Sequence, residues 1–170
     1  MDLKSLINLA RRLIDRVSSL GWLAALLTRL FVGYFFFETG WAKVHDLAGF
    51  TQRFQQWGIP YPAFNAALSA YTECIGGALT IAGFGTRIVS VAMIINMAVA
   101  VLSVKLKNVA GLDDFVELDE PLYALVYLWL LVDGAGLLSV DYLIRAAVLP
   151  AAASASASTA PPEYRGADAR

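Results

Sequence analysis

Charged side chains stand inside long apolar runs of this sequence, and they are the residues best placed to do chemistry. Arg29 lies in an otherwise uncharged run from position 22 to 37, and Glu73 and Asp133 lie in two later apolar runs. A charged group near the centre of a bilayer costs about 2.5–3.5 kcal/mol on insertion scales, so it needs a partner or a function. A buried carboxylate beside a cation can also exchange protons. Glu73 and Arg29 are therefore candidate catalytic residues.

A second polar group accompanies a row of aromatic residues between positions 34 and 45. At 100° per residue, one helical stripe carries Tyr34, Glu38, Trp41 and His45, and Lys43 lies on another stripe, roughly opposite. Aromatic side chains with a few hydrogen-bond donors and a proton-accepting group are typical of a pocket for a mostly apolar ligand. Glu38 is thus a third catalytic candidate. The candidates for binding a ligand or joining a polar network are Tyr34, Trp41, Lys43, His45 and Asp133.

These residues are carried by four apolar segments of membrane-spanning length. The chain has 170 residues, of which 58% are hydrophobic and 16% charged, against about 45–50% and 25% in soluble domains. A spanning helix needs about 20 apolar residues. The segments are Trp22–Val44, Phe64–Phe84, Ile88–Val104 and Leu122–Val140. The sequence predicts an all-α membrane protein with a four-helix transmembrane bundle, and its net charge of −1 argues against nucleic-acid binding.

Depth in the membrane suggests which charges meet. Arg29 and Asp133 each lie seven residues from the cytoplasmic end of their segments, which is roughly 10 Å, and Glu73 lies roughly 16 Å deep. We expect an inner cluster in which Arg29 pairs with Asp133 or Glu73, joined by Arg87 and Asp141. A separate outer cluster would contain Glu38, Trp41, Lys43 and His45. The alternatives are an ion network that only fixes helix register and, for the outer cluster, ordinary interfacial anchoring.

Segments of different character flank the predicted bundle, which covers residues 21–145. Residues 1–20 have the helical period of an amphipathic helix that lies on the membrane surface. Residues 146–170 are an Ala/Ser/Pro-rich tail without a core. More basic residues lie on the side of the predicted bundle that holds both termini than on the opposite side. This bias predicts that both termini are cytoplasmic in a bacterial inner membrane.

Metal and redox motifs are sparse in this sequence. A lone Cys74 excludes an internal disulfide and a CxxC pair, and a lone His45 excludes bis-His haem ligation. The Met93/Met97 pair together with Cys74 could hold Cu(I), although such methionines more often pack in a core. We predict no metal site and no cofactor encoded by a motif.

Three motifs together resemble the DoxX family of membrane proteins over about residues 25–145. They are RLFVGYFFFETGWAKV in the first segment, ECIGGALTIAGFGTR in the second and GAGLLSVD at the end of the fourth. The matching positions are Arg29, Gly33, Gly40, Lys43, Glu73, Arg87, Gly134, Gly136, Ser139 and Asp141. The resemblance implies a four-helix bacterial inner-membrane protein linked to membrane redox systems, including quinone reduction. It thereby makes quinone the candidate ligand of the aromatic and polar residues named above.

Two functional hypotheses follow from the residues and the resemblance. In the first, the chain is a subunit of a membrane oxidoreductase system that handles quinone with electrons from a redox or operon-linked partner protein. In the second, it is a non-enzymatic scaffold, chaperone or conduit for a small solute. Both hypotheses place the chain in a lipid bilayer, both allow a homo-oligomer, and neither involves nucleic acid.

Overall fold

The computed structural model describes residues 3–148, and helices joined by short connections make up this part of the chain, with no strand among them. The predicted all-α class is therefore confirmed. The predicted tail lies outside the described residues from position 149 onward. The helices are α1 (Leu3–Ser18), α2 (Gly21–His45), α3 (Leu47–Gln56), α4 (Pro62–Ala82), α5 (Thr86–Ser103), α6 (Leu112–Val116), α7 (Asp119–Asp133) and α8 (140–148).

The long helices form two tightly packed pairs, α2 with α4 and α5 with α7. In the first pair, glycines let the backbones touch. A Cβ on Gly40 would collide with the backbone of Cys74, and one on Gly77 would collide with the backbone of Phe37. Small residues at such contacts are the usual means by which helices approach closely in membranes. This contact brings the polar residues of α2 and α4 within reach of each other.

The second pair joins the first through an apolar core. Phe36 of α2 packs with Met93 and Met97 of α5 and with Tyr127 and Leu130 of α7. Three of these five side chains bury their whole surface, and Met97 and Phe36 are only slightly more exposed. The two methionines therefore belong to the packed core, in agreement with the packing interpretation of Met93 and Met97.

The segment from 45 to 63 folds into a short helix that covers one end of the bundle. Asp46 caps α3 by accepting a hydrogen bond of 3.1 Å from the backbone N–H of Gly49. The apolar face of α3 presents Phe50 and Phe54, which are buried against Ala66 and Ala70 of α4. This end of the bundle is called the outer end below.

The predicted extent of the fourth apolar segment, Leu122–Val140, is wrong. The helix α7 ends at Asp133, seven residues before the predicted end. Gly134 and Gly136 follow with φ of 83° and 76°, a left-handed backbone that interrupts a helix and that glycine adopts readily. The chain then turns and resumes a helix at residue 140.

By length and apolar composition, two stretches of the described residues are able to cross a membrane. One lies within Leu6–His45 and the other is Thr86–Ser103. The helix α4 is long enough but carries several polar residues, among them Ser69, Thr72 and Glu73, and α7 has only 15 residues.

Candidate functional site

A buried carboxylate forms the centre of the site. Glu73 of α4 is 4% exposed, and its Oε2 is in a salt bridge with the ammonium group of Lys43 on α2. Its Oε1 accepts a hydrogen bond of 3.1 Å from the amide of Asn96 on α5. The hydroxyl of Thr39 lies 3.4 Å from Oε2. The Thr39 hydroxyl also lies 3.0 Å from the Phe35 carbonyl, the nearer acceptor for its single proton. Three helices thus converge on one charge, which is paired with a cation and accepts a hydrogen bond from an amide.

The register of the helices explains why these groups meet. Thr39 and Lys43 are four residues apart on α2, so both project from one face. Gly40 lies between them and against the backbone of Cys74, next to Glu73 in the chain. The missing side chain at Gly40 therefore sets the distance across which Lys43 reaches the carboxylate.

A cavity of about 730 Å³ opens above this group. That is within the range of roughly 300–1,000 Å³ typical of ligand pockets. Phe35 and Tyr123 stack with ring centroids 4.9 Å apart on one side of it, and Phe50, Phe54 and Trp57 form its cover at the outer end. The cavity wall thus carries six aromatic side chains, and the Lys43, Glu73 and Asn96 side chains form its polar floor.

Charged residues surround the rim of the cavity at the outer end. Lys105 and Glu120 form a salt bridge of 3.2 Å, and both line the cavity. Lys107 donates a hydrogen bond of 3.2 Å to the carbonyl of Trp57. The guanidinium of Arg53 lies 5.6 Å from the centroid of the Phe50 ring, a cation–π distance. These contacts tie the covering segment to the ends of α5 and α7.

The opposite end of the bundle holds the predicted inner cations, but in other pairings. Arg29 is 1% exposed, and its Nη2 donates to the carbonyl of Leu138, 2.5 Å away. Within residues 3–148 it forms no salt bridge with Glu73 or Asp133, so the expected inner cluster is wrong. The physical reason is the turn after α7, which brings the Leu138 carbonyl to the guanidinium. Asp133 is exposed and lines a separate cavity of about 570 Å³.

Asp141 organises the same end by capping α5. Its two oxygens accept hydrogen bonds of 2.7 and 2.9 Å from the backbone N–H groups of Gly85 and Thr86. Burial by itself raises the pKa of this carboxyl. The backbone N–H groups of Thr86 and Gly85, the Thr86 hydroxyl and the charge of Arg145 outweigh burial, so the pKa of Asp141 lies below its ordinary value.

The predicted outer cluster is also divided. Lys43 faces inward to Glu73, whereas Glu38 is exposed on the far side of α2. Tyr34 and Trp41 are 61% and 53% exposed. The His45 ring stacks on Trp41 with centroids 4.4 Å apart, and its Nδ1 lies 2.9 Å from the Trp41 carbonyl. These four side chains do not line the cavity. They form an exposed stripe of the kind found at a membrane interface.

Several cavity residues were missing from the predicted site. Asn96 is the clearest, since an amide in the middle of an apolar run signals a buried polar contact. Phe50 and Phe54 are spaced four apart, which signals a helix face, but nothing in the sequence indicates which surface that face covers. Tyr123 reaches the cavity only through the packing of α7 against α2.

Comparison with known proteins places this geometry in context. The family model described as DoxX matches residues 24–106. A Bacillus subtilis (strain 168) protein named "Putative oxidoreductase CatD" is 38% identical over 85 residues, which make up 50% of this chain and 62% of that protein. The chain thus aligns with somewhat less than two thirds of this relative's length. No solved structure matches the chain.

Proposed function

Because residues 24–106 belong to the DoxX family, we propose that the chain is a multi-pass bacterial inner-membrane protein that handles quinone. In this proposal it is a subunit of a membrane oxidoreductase system, and a partner protein with a redox cofactor supplies the electrons. The observation that carries the proposal is the Lys43–Glu73 salt bridge on the floor of an aromatic cavity. The similarity to a protein named as a putative oxidoreductase also supports a role in a membrane oxidoreductase system.

The cavity suits a flat, uncharged ring that has oxygen atoms at its edge. Phe35 and Tyr123 offer faces and edges against which a ring can pack. Lys43 and Asn96 are donors suited to a quinone carbonyl oxygen. Because the charges of Lys43 and Glu73 cancel, the floor favours a neutral ligand over an ion.

The same residues suit the proton side of quinone reduction. A quinone takes up two electrons and two protons to become a hydroquinone. The Lys43 ammonium can give one proton to a carbonyl oxygen that it contacts, and the neutral amine then stays hydrogen-bonded near the Glu73 carboxylate. The second proton for the quinone and the proton that restores the Lys43 ammonium must both come from water, for which the charged rim at Lys105 and Glu120 is the nearest described entrance. Both electrons come from the partner.

The membrane placement rests on the apolar outer surface of the bundle. Side chains that are more than half exposed on the long helices include Phe31, Ile88, Ile95, Leu102, Leu125 and Val132. Apolar surface of this extent indicates contact with lipid or protein. We propose that α2, α4, α5 and α7 all span the bilayer. The 15 residues of α7 measure roughly 22 Å, so its end and the turn after it would lie at the inner interface.

The amphipathic helix fits an in-plane position at the inner surface. Leu13, Ile14 and Val17 of α1 are 54%, 63% and 69% exposed, and the described helices leave this apolar face uncovered. Arg11, Arg12 and Arg16 belong to the same helix. Apolar side chains in the acyl region and cations among anionic headgroups would together hold α1 on the cytoplasmic leaflet.

Tryptophan fluorescence tests the quinone proposal directly. Trp57 lines the cavity, whereas Trp41 is exposed elsewhere on the bundle. In full-length protein in lipid nanodiscs, a variant with Trp57 as its single tryptophan should show saturable quenching by a quinone. A matched variant that keeps only Trp41 should show quenching that rises linearly. Lys43→Met and Asn96→Leu should each weaken the saturable binding at least tenfold.

The results that would contradict the proposal are equally specific. Linear quenching of Trp57 in the protein that keeps Lys43 and Asn96 would mean that the cavity binds no quinone. Saturable binding that is indifferent to Lys43→Met and Asn96→Leu would mean that it binds elsewhere. Either result would leave the non-enzymatic scaffold as the better interpretation of the chain.

A further inference from the structure

The cavity over Glu73 has a charged rim at the outer end and a separate, aliphatic edge at one side of the bundle. We propose that this side, between α4 and α5, is a portal for the apolar tail of a ligand that enters from the bilayer. The inference rests on the proposed quinone function and adds the substrate class: a lipid-dissolved quinone with a long hydrocarbon tail, rather than a small water-soluble one.

At the outer end, α3 covers part of the cavity. Phe50 and Phe54 are 4% and 7% exposed, and their rings lie 4.8 Å apart across the top of the cavity. The segment after α3 is held by the hydrogen bond from Lys107 to the Trp57 carbonyl. Beside this cover the cavity is bordered by the half-exposed Lys105 and its partner Glu120, so this edge is polar and does not favour a hydrocarbon tail.

The open side is lined by aliphatic residues that also face outward. Leu68 of α4 and Ile95 and Val99 of α5 all line the cavity, and they are 55%, 58% and 48% exposed. A side chain that borders the cavity and the outer surface together marks the edge of an opening. Ala92, also in the wall and exposed, contributes only a methyl group there. The opening is therefore apolar and set in the helix surface that we assign to lipid.

The distance from floor to portal suits a head and tail arrangement. Leu68 is five residues from Glu73 on α4, and on α5 Val99 and Ala92 are three and four residues from Asn96 in opposite directions. The portal therefore extends roughly 5–8 Å along the helix axes to either side of the polar floor. A quinone ring held at Lys43 and Asn96 would thus place its hydrocarbon tail in the opening between α4 and α5. The tail stays in hydrocarbon, and no apolar surface has to be moved into water.

The test compares two quinones with the same ring, one carrying a methyl group and the other a ten-carbon chain. Binding is measured by quenching of the single Trp57 in full-length protein in nanodiscs. Ala92→Phe fills the portal, and Ala98→Phe is its matched control, because Ala98 is equally an exposed residue of α5 but does not line the cavity. Ala92→Phe should weaken binding of the tailed compound at least tenfold and change that of the methyl compound less than twofold. Ala98→Phe should change neither.

A second pair of variants tests whether the effect of Ala92→Phe arises only from a local distortion of α5. Val99→Phe narrows the opening from the other side, and Val91→Phe is its control on the surface of α5 away from the cavity. If neither portal variant separates the two compounds, whether both bind normally or both are lost, the portal proposal is overturned while the quinone site stands. If neither compound quenches Trp57 saturably in the unsubstituted cavity, the quinone function itself fails.

Discussion

The salt bridge between Lys43 and Glu73 should behave as one energetic unit in unfolding experiments. Removing one member of a buried ion pair typically costs about 3–5 kcal/mol, because the other charge is left without a partner. The two side chains differ in exposure, at 28% for Lys43 and 6% for Glu73. A lone Lys43 can therefore turn partly toward water, whereas a lone Glu73 cannot.

This asymmetry sets the expected magnitudes. Lys43→Met leaves a buried carboxylate that is held only by Asn96 and Thr39, and it should lower the free energy of unfolding by about 3 kcal/mol. Glu73→Gln keeps the shape and an acceptor for Asn96, so we expect a loss of about 1–2 kcal/mol. The double variant leaves no unpaired charge and should lose about 2 kcal/mol. The implied coupling energy is therefore about 2–3 kcal/mol.

The assay is unfolding of the purified chain by sodium dodecyl sulfate in mixed micelles, followed by circular dichroism. An internal control is the pair Arg29→Ala and Glu73→Gln, whose losses should add to within about 0.5 kcal/mol because Arg29 bonds to the Leu138 carbonyl instead. Additive losses for Lys43→Met and Glu73→Gln would refute the reasoning. Coupling between Arg29 and Glu73 would show that the sequence-based pairing was right after all.

Three further outcomes follow from the geometry. Since the pKa of Asp141 is lowered in the folded protein, its contribution to stability is present above its unfolded pKa of about 3.9 and is lost as the pH falls below that value. Unfolding measured between pH 3 and 7 should show this loss, and Asp141→Asn should flatten the profile. Gly40→Ala should destabilise the protein by about 1–3 kcal/mol, because the new methyl group meets the α4 backbone. Gly21→Ala, with open space around it, is the thermal-unfolding control and should cost nothing. Both termini are expected in the cytoplasm, so an impermeant thiol reagent should label Asp114→Cys in intact cells but not Ser5→Cys, in a background without the native cysteine; the opposite pattern would invert the topology.

The helical class, the starts of three helices and the unusual charged residues could be predicted from the sequence. Helical period and apolar length gave the all-α class, and the starts of α2, α4 and α5 lie within about two residues of the predicted segments. Glu73 and Arg29 stood out because a charge in an apolar run is costly wherever the run folds. Local composition is enough for such conclusions, since helix formation and hydrophobic periodicity depend on neighbours in the chain.

The pairing of these charges was decided by the tertiary structure alone. Depth arguments placed Arg29 with Asp133 or Glu73, but depth says nothing about rotation around the bundle axis. The contact at Gly40 turns Lys43 toward Glu73, and the glycine turn after Asp133 supplies carbonyl groups to Arg29. The cavity likewise depends on α3 folding back over α4, a packing of side chains that are distant in sequence. Period and composition constrain each helix separately, whereas a site needs several helices in one relative position, and only their packing fixes that position.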